Sequence, residues 1–114
     1  MIIESSSKNG YQVVRIKEAL LYKIDVSEII TKVDECVSNG AINIAIAFSP
    51  ADHIYTPVIR IIVQSRKAIS AHNGKLVLIT PTEEIREEIL EILKLLGLAN
   101  EIRLFGSEEE LYLR

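Results

Sequence analysis

Tryptophan is absent from this chain, phenylalanine occurs twice, and cysteine and methionine occur once each. The lone Cys36 cannot close an internal disulfide or assemble a metal cluster, so a reducing compartment is the simplest home. No apolar run approaches the ~18 residues of a membrane span, and the opening residues MIIESSSKNG lack the basic start and apolar core of a secretory signal. The expectation is therefore a cytoplasmic protein with no membrane insertion. A net charge of −3 with both signs interspersed argues against phosphate-backbone binding as the main task, and so against nucleic acid as a partner. GxGxxG, Walker-type glycine loops, HExxH, CxxC and GxSxG are all missing. Dinucleotide, nucleoside triphosphate, zinc-protease and serine-hydrolase chemistry each lack their minimal parts. No catalytic residue, cofactor or metal is expected.

What the chain does hold is a regular alternation of apolar segments. At 114 residues it is long enough to bury about two thirds of its unfolded surface as one domain, residues 1–114. The organising stretch is Ala41 to Arg66. Ile42, Ile44, Ile46 and Phe48, with Ala45 and Ala47 between them, form a nearly continuous apolar run that suits a central strand covered on both faces. The polar loop Ser49-Pro50-Ala51-Asp52-His53 follows. Thr56-Pro57 then opens a helix, with a hydroxyl at the N-cap and proline at the first helical position.

Around this unit, Met1 to Ser7 and Tyr11 to Ile16 predict a hairpin turned at Asn9-Gly10. Val26, Ile29, Ile30, Val33 and Val37 repeat at helical period up to Asn39-Gly40, the second helix runs from Pro57 to His72, and Asn73-Gly74 closes it. Lys75 to Thr80 is a further apolar strand. A third helix begins after Thr80-Pro81-Thr82 with an acidic first turn that complements its dipole, and carries its apolar face through Ile85, Ile89, Ile92, Leu93 and Leu96 to Gly97. Glu101 to Phe105 gives a last strand, and Ser107 with Glu110 marks a short C-terminal helix. The fold class is α/β: a mixed sheet of about five strands, with parallel inner strands joined by right-handed crossovers, three main helices and a short C-terminal one.

A strand's carboxyl end feeding a helix N-terminus is where open α/β sheets place their function. Asp52 and His53 stand in that loop. Adjacent residues rarely point at each other and no nucleophile is fixed nearby, so a solvated pair is the simpler reading; a small phosphocarrier or enzyme using Asp52 and His53 stays open beside it. His72 complements the dipole at a helix end, and Cys36, near the C-terminus of the first helix, reads as packing. The acidic runs Glu83 to Glu91 and Glu108 to Glu110 read as solvated faces.

From about Tyr11 onward the order and spacing of these features resemble the STAS domain of bacterial anti-sigma factor antagonists. The features are Val13 to Ile16, the helix ending at Asn39-Gly40, Ser49 after the central strand, Gly74-Lys75-Leu76-Val77-Leu78, and Leu96-Gly97-Leu98. In that family a serine at the start of the second helix is phosphorylated by an anti-sigma factor that is also a kinase, and only the unphosphorylated form binds it and frees the sigma factor. Counting without gaps from Ser49 places Thr56 at that serine, with Tyr55 in place of the family's Asp and Pro57-Val58 in place of its Ser/Ala-Gly. The resemblance implies a regulatory binding module whose partner is a serine-kinase-type anti-sigma factor, with Thr56 as phosphoacceptor. It implies a partner surface of Ser49, Asp52, His53, Tyr55, Thr56, Val58, Ile59 and Arg60. A non-phosphorylated scaffold subunit of a stress-signalling or transporter complex is the neighbouring alternative, and a homodimer through the second helix is also open.

Overall fold

The structure is a computed structural model, and it describes residues 3–17, 27–49 and 56–111. Its elements, in chain order, are β1 (Ile3–Lys8), β2 (Tyr11–Ile16), α1 (Ser27–Ser38), β3 (Asn43–Ala47), α2 (Thr56–Ser70), β4 (Lys75–Ile79), α3 (Glu83–Leu96), β5 (Arg103–Phe105) and a single 3₁₀ turn at Glu108–Glu110. The five strands lie side by side in the order β1-β2-β3-β4-β5; the first pair is antiparallel and the rest are parallel. The α/β class, the hairpin and the three helix-then-strand units are those predicted.

Strand order dictates where the helices sit. Each parallel crossover advances one strand in the same direction, so right-handed connections put α1, α2 and α3 on one face of the sheet. The side-chain period of two then divides the strands between two cores. Val14, Ile16, Ile44, Ile46, Leu76 and Leu78 pack with Ile29 and Val33 of α1, Val58, Ile61 and Ile62 of α2, and Ile85, Ile89 and Leu93 of α3. The alternate residues Tyr11, Val13, Ala45, Ala47, Val77, Ile79 and Phe105 form a second buried cluster containing no residue of these helices. The apolar run is thus covered on both faces from Ile44 to Phe48, as its composition predicts, whereas Ile42, just before the strand, is 51% exposed.

The second face is covered by the C-terminal segment. After β5 the chain turns back across the sheet, and Leu111 enters that cluster with 2% of its surface exposed. Three inter-strand steps of about 4.8 Å separate β5 from β2, a span within reach of three residues and two long side chains. The clasp is Arg15 on β2, which donates from Nε and Nη2 to the two carboxylate oxygens of Glu108, both at 2.6 Å. Arg15 Nη1 also donates to Ser6 Oγ at 2.8 Å. Lys8 pairs with Glu109 at 3.3 Å, and Asn9 Nδ2 donates to the Leu111 carbonyl at 2.9 Å. Reading Glu108 as part of a solvated run is therefore corrected: its side chain is 23% exposed and it is a ligand of Arg15.

Local chemistry explains most boundaries. Asn9 (φ 51°) and Gly10 (φ 89°) both sit in the left-handed region, the conformation a two-residue hairpin turn demands. Thr82, three residues after the end of β4 at Ile79, accepts a hydrogen bond from the Ile85 N–H at 3.2 Å as the N-cap of α3. The expected C-terminal helix shortens to the 3₁₀ turn. Ser107 Oγ bonds the Glu110 carboxylate at 3.4 Å rather than a backbone N–H, so one half of the expected capping box is missing. At the end of α2 it is Asn73 (φ 58°), not Gly74, that takes the left-handed conformation. Gly74 is required for a different reason: a Cβ there would fall on the Ile42 carbonyl oxygen and lie 2.8 Å from Ile69 Cγ2, where Lys75 N–H already bonds Ile42 O at 2.7 Å. The predicted start of α1 at Val26 lies outside the described residues.

Two outcomes follow. Gly74→Ala is expected to destabilise the protein by about 1–3 kcal/mol through forced displacement of backbone, read as the midpoint of urea unfolding against wild type. The Arg15 hydrogen bonds, and then its charge, hold the Glu108 carboxyl below its ordinary 4.5, against an opposing effect of burial. A depressed carboxylate stabilises the fold fully above that ordinary value, and its contribution disappears as pH falls through the lower folded value. Glu108→Gln should therefore cost about 1–2 kcal/mol near neutral pH. In thermal melts the gap between variant and wild type should close as pH falls below 4.5 and through the lower folded value; a gap independent of pH would mean that the pair does not carry the effect.

Candidate functional site

The carboxyl edge of the sheet is built by backbone. Phe48 N–H donates to Ile79 O at 3.2 Å and Thr80 N–H to Phe105 O at 2.8 Å, which extends the parallel ladders past β3 and β4 and fixes where the β3–α2 loop departs. Phe48, 5% exposed, anchors the helix side of this edge. Ser49 follows it, half-buried, and lines a cavity of about 200 Å³ with Arg15, Ile16, Lys17, Phe48 and Glu108. Lys17 pairs with Glu4 at 2.9 Å beside it.

Helix α2 begins at Thr56, within a residue of the predicted start. Proline at its second position lacks only an N–H that no helix carbonyl could accept. Asp52, His53 and Tyr55 lie outside the described residues, as does the side chain of Thr56. What the backbone fixes is that Thr56 stands at a helix N-terminus, where unpaired N–H groups and the positive end of the dipole favour an anion. The first turn carries no acidic residue to compete with one.

Of the remaining candidates, Ile59 and Arg60 come to the outside while Val58 does not. Val58, Ile61, Ile62 and Ile69 recur at three- and four-residue spacing and are at most 1% exposed, so they form the face of α2 turned to the sheet. Val58 is thereby corrected from a partner-facing residue to a core residue; its position in the helical period leaves no surface to offer. Ile59 and Val63, four apart, are half-buried, and Arg60 is exposed. The apolar surplus on α2 is partly absorbed because this helix packs against α1 as well as β4.

The other sequence candidates are quiet. Cys36 is 8% exposed and burial raises its thiol pKa, opposing thiolate formation. His72 lies exposed in the turn after α2. Among the described residues no group of three or more His, Cys, Asp or Glu is placed to hold a metal, and no described helix is long and apolar enough to cross a membrane. A hollow of about 400 Å³ lies at the opposite end of the sheet against Gln12, Asn39 and Asn43, with no acid or base in its lining.

The residue pair that sequence reasoning missed is Arg15 with Glu108. Its signal was present as Lys8, Arg15 and Lys17 on one face of the hairpin and three consecutive acids 91 to 102 positions later, but only the return of the chain across the sheet joins them.

Solved structures share this fold. The phosphorylated form of SpoIIAA, described as a Bacillus cell fate determinant, superposes with a TM-score of 0.64 at 17% identity over 95% of each chain. The unphosphorylated form of SpoIIAA, described as an anti-sigma factor antagonist, gives 0.65 at 17% identity over 95% of this chain and 91% of its own. The NMR structure of the protein TM1081 gives 0.67 at 19% identity over 96% and 85%. No curated protein matches the chain by sequence. The profile of the STAS domain matches residues 3–111, nearly the whole length, and the chain accordingly belongs to the STAS domain family.

Proposed function

We propose that this protein is a regulatory binding module, an anti-sigma factor antagonist that binds a serine-kinase-type anti-sigma factor and is switched by phosphorylation of Thr56. The observation that carries this reading is the start of α2 at Thr56, directly after the loop that leaves the carboxyl end of the central strand. Family membership supports it, and so does the likeness of fold to a protein solved in phosphorylated and unphosphorylated forms and described as an anti-sigma factor antagonist.

The physical basis of the switch is local. A phosphate on the first residue of a helix meets free N–H groups, so the fold tolerates it. The same phosphate adds about two negative charges to a surface that must lose water on binding, and so weakens association with the partner. Exposed Arg60 and half-buried Ile59, one turn further on, supply the adjoining charged and apolar contacts. Ser49, Asp52, His53 and Tyr55 complete the proposed surface. The protein acts by being bound or not bound, in the cytoplasm, and performs no catalysis of its own.

Purified protein used as bait in an extract of its source cells, followed by intact-mass analysis after incubation with ATP and the recovered partner, tests the reading. Recovery of an ATPase-type anti-sigma factor together with one phosphoryl group on Thr56 supports the switch. Recovery of that partner with no added phosphate leaves a constitutive antagonist, and recovery of a transporter or of a second copy alone replaces the reading by a scaffold role. Arg60→Glu is expected to lower affinity for the recovered partner about tenfold or more, with the melting temperature nearly unchanged, because reversing an exposed charge disturbs an interface far more than a fold. A large loss of stability instead would make Arg60 structural.

A further inference from the structure

The C-terminal segment is in effect a short acidic peptide seated on the hairpin, and the contacts that hold it define a recognition pattern. Glu108 takes a two-pronged hydrogen bond from Arg15, Glu109 meets Lys8, Asn9 Nδ2 binds the Leu111 carbonyl, and the Leu111 side chain drops onto a shelf that includes Val13, Ala45 and Ala47. Read as a ligand, this is two adjacent carboxylates followed, three positions after the first, by an apolar side chain and a captured backbone carbonyl. The shelf is low because Ala45 and Ala47 present only methyl groups at the centre of the sheet face. Arg15, near the end of β2, and Lys17 just after that strand stand at one end of this face, and Lys8 on β1, paired across from Tyr11, stands at its other end.

None of these contacts depends on covalent continuity with β5. The segment has one 3₁₀ turn as its only regular structure, Glu109 is 76% exposed, and the hold is the sum of a few contacts that another chain can make equally well. We infer that the hairpin face formed by Lys8, Asn9 and Arg15, with the apolar shelf beside it, is a docking site for an acidic Glu-Glu-x-Leu segment of a partner protein, and that the chain's own Glu108–Leu111 is its resident competitor. Charge complementarity selects the occupant: a neutral or basic segment would leave Arg15 without the carboxylate its fork fits. The tethered segment competes at a high effective concentration, so a partner's affinity is set by how firmly Glu108 and Glu109 hold. This site lies on the face opposite α2 and stands independently of whether the α2 entry binds an anti-sigma factor.

The probe is a fluorescein-labelled synthetic peptide of this chain's own residues 106–114, GSEEELYLR, titrated by anisotropy into full-length protein. Glu108→Gln with Glu109→Gln removes the part-buried carboxylate held by Arg15 and the exposed one held by Lys8, and loosens the resident segment. This double variant should bind the peptide about tenfold more tightly than wild type. Adding Arg15→Gln should abolish the gain. Glu109→Gln alone, at a largely exposed position, should give a smaller gain in the same direction and serves if the double variant unfolds. A merely structural clasp would re-form only with its native sequence, so a second peptide keeping just Glu-Glu-x-Leu between unrelated flanking residues should show the same gain in the double variant under the inference, and no gain with it would overturn the inference. Equal affinity of wild type and both loosened variants, retention of the gain without Arg15, or equal binding of a sequence-scrambled peptide would each overturn the inference.

Discussion

A sheet whose inner strands are apolar on both sides must be covered on both sides, and three right-handed crossovers that all advance in one direction can cover only one of them. In this protein the uncovered side falls to the C-terminal segment, and the bidentate Arg15–Glu108 pair is what fastens it. Much of the structure is arranged to make that possible. Ala45 and Ala47 keep the centre of the second face shallow, and Tyr11, Val13, Val77, Ile79 and Phe105 surround the shelf on which Leu111 rests. The Asn9-Gly10 turn places the Asn9 side-chain amide under the Leu111 carbonyl. The hairpin is thus both the first element of the sheet and the receptor for its last segment.

The same division of faces orders the functional surface. Because the inner strands are parallel, their carboxyl ends gather along one edge, and the β3–α2 loop leaves from the middle of it. Hydrogen bonds from Phe48 to Ile79 and from Thr80 to Phe105 keep that edge rigid, so the loop departs from a fixed platform and α2 begins at Thr56. On one side of the edge stands a helix N-terminus suited to an anion; on the other stand Arg15, Lys17 and the Glu108 clasp around a small cavity. A STAS domain that communicates by binding has, in this chain, two chemically different surfaces within one sheet's thickness of each other.

Much of this was legible from residue order because it depends on local patterns. The apolar run from Ile44 to Phe48 announces a strand buried on both faces, the Thr56-Pro57 pair announces a helix start, and Asn9-Gly10 announces a hairpin. Each statement rests on the conformational preference of a few neighbours. Where the reading failed, the deciding neighbour was distant. Val58 looked available beside Ile59 and Arg60, yet the phase of α2 on the sheet sends it inward. Gly74 looked like a left-handed cap until the approach of Ile42 showed that space, not φ, requires glycine there. Glu108 looked solvated, as acids in a run of three usually are, until the chain brought it to Arg15.

The sequence alone therefore determined the class of fold, the order of its elements and the start of α2, since hydrophobic period, capping residues and turn chemistry act over a handful of positions. Only the tertiary structure decided which apolar residues of α2 remain at the surface, why Gly74 has no side chain, and that a carboxylate near the end of the chain closes the face the helices leave open. Those outcomes depend on contacts between residues far apart in the chain, and such contacts exist only once the sheet has formed and its two faces have become different environments.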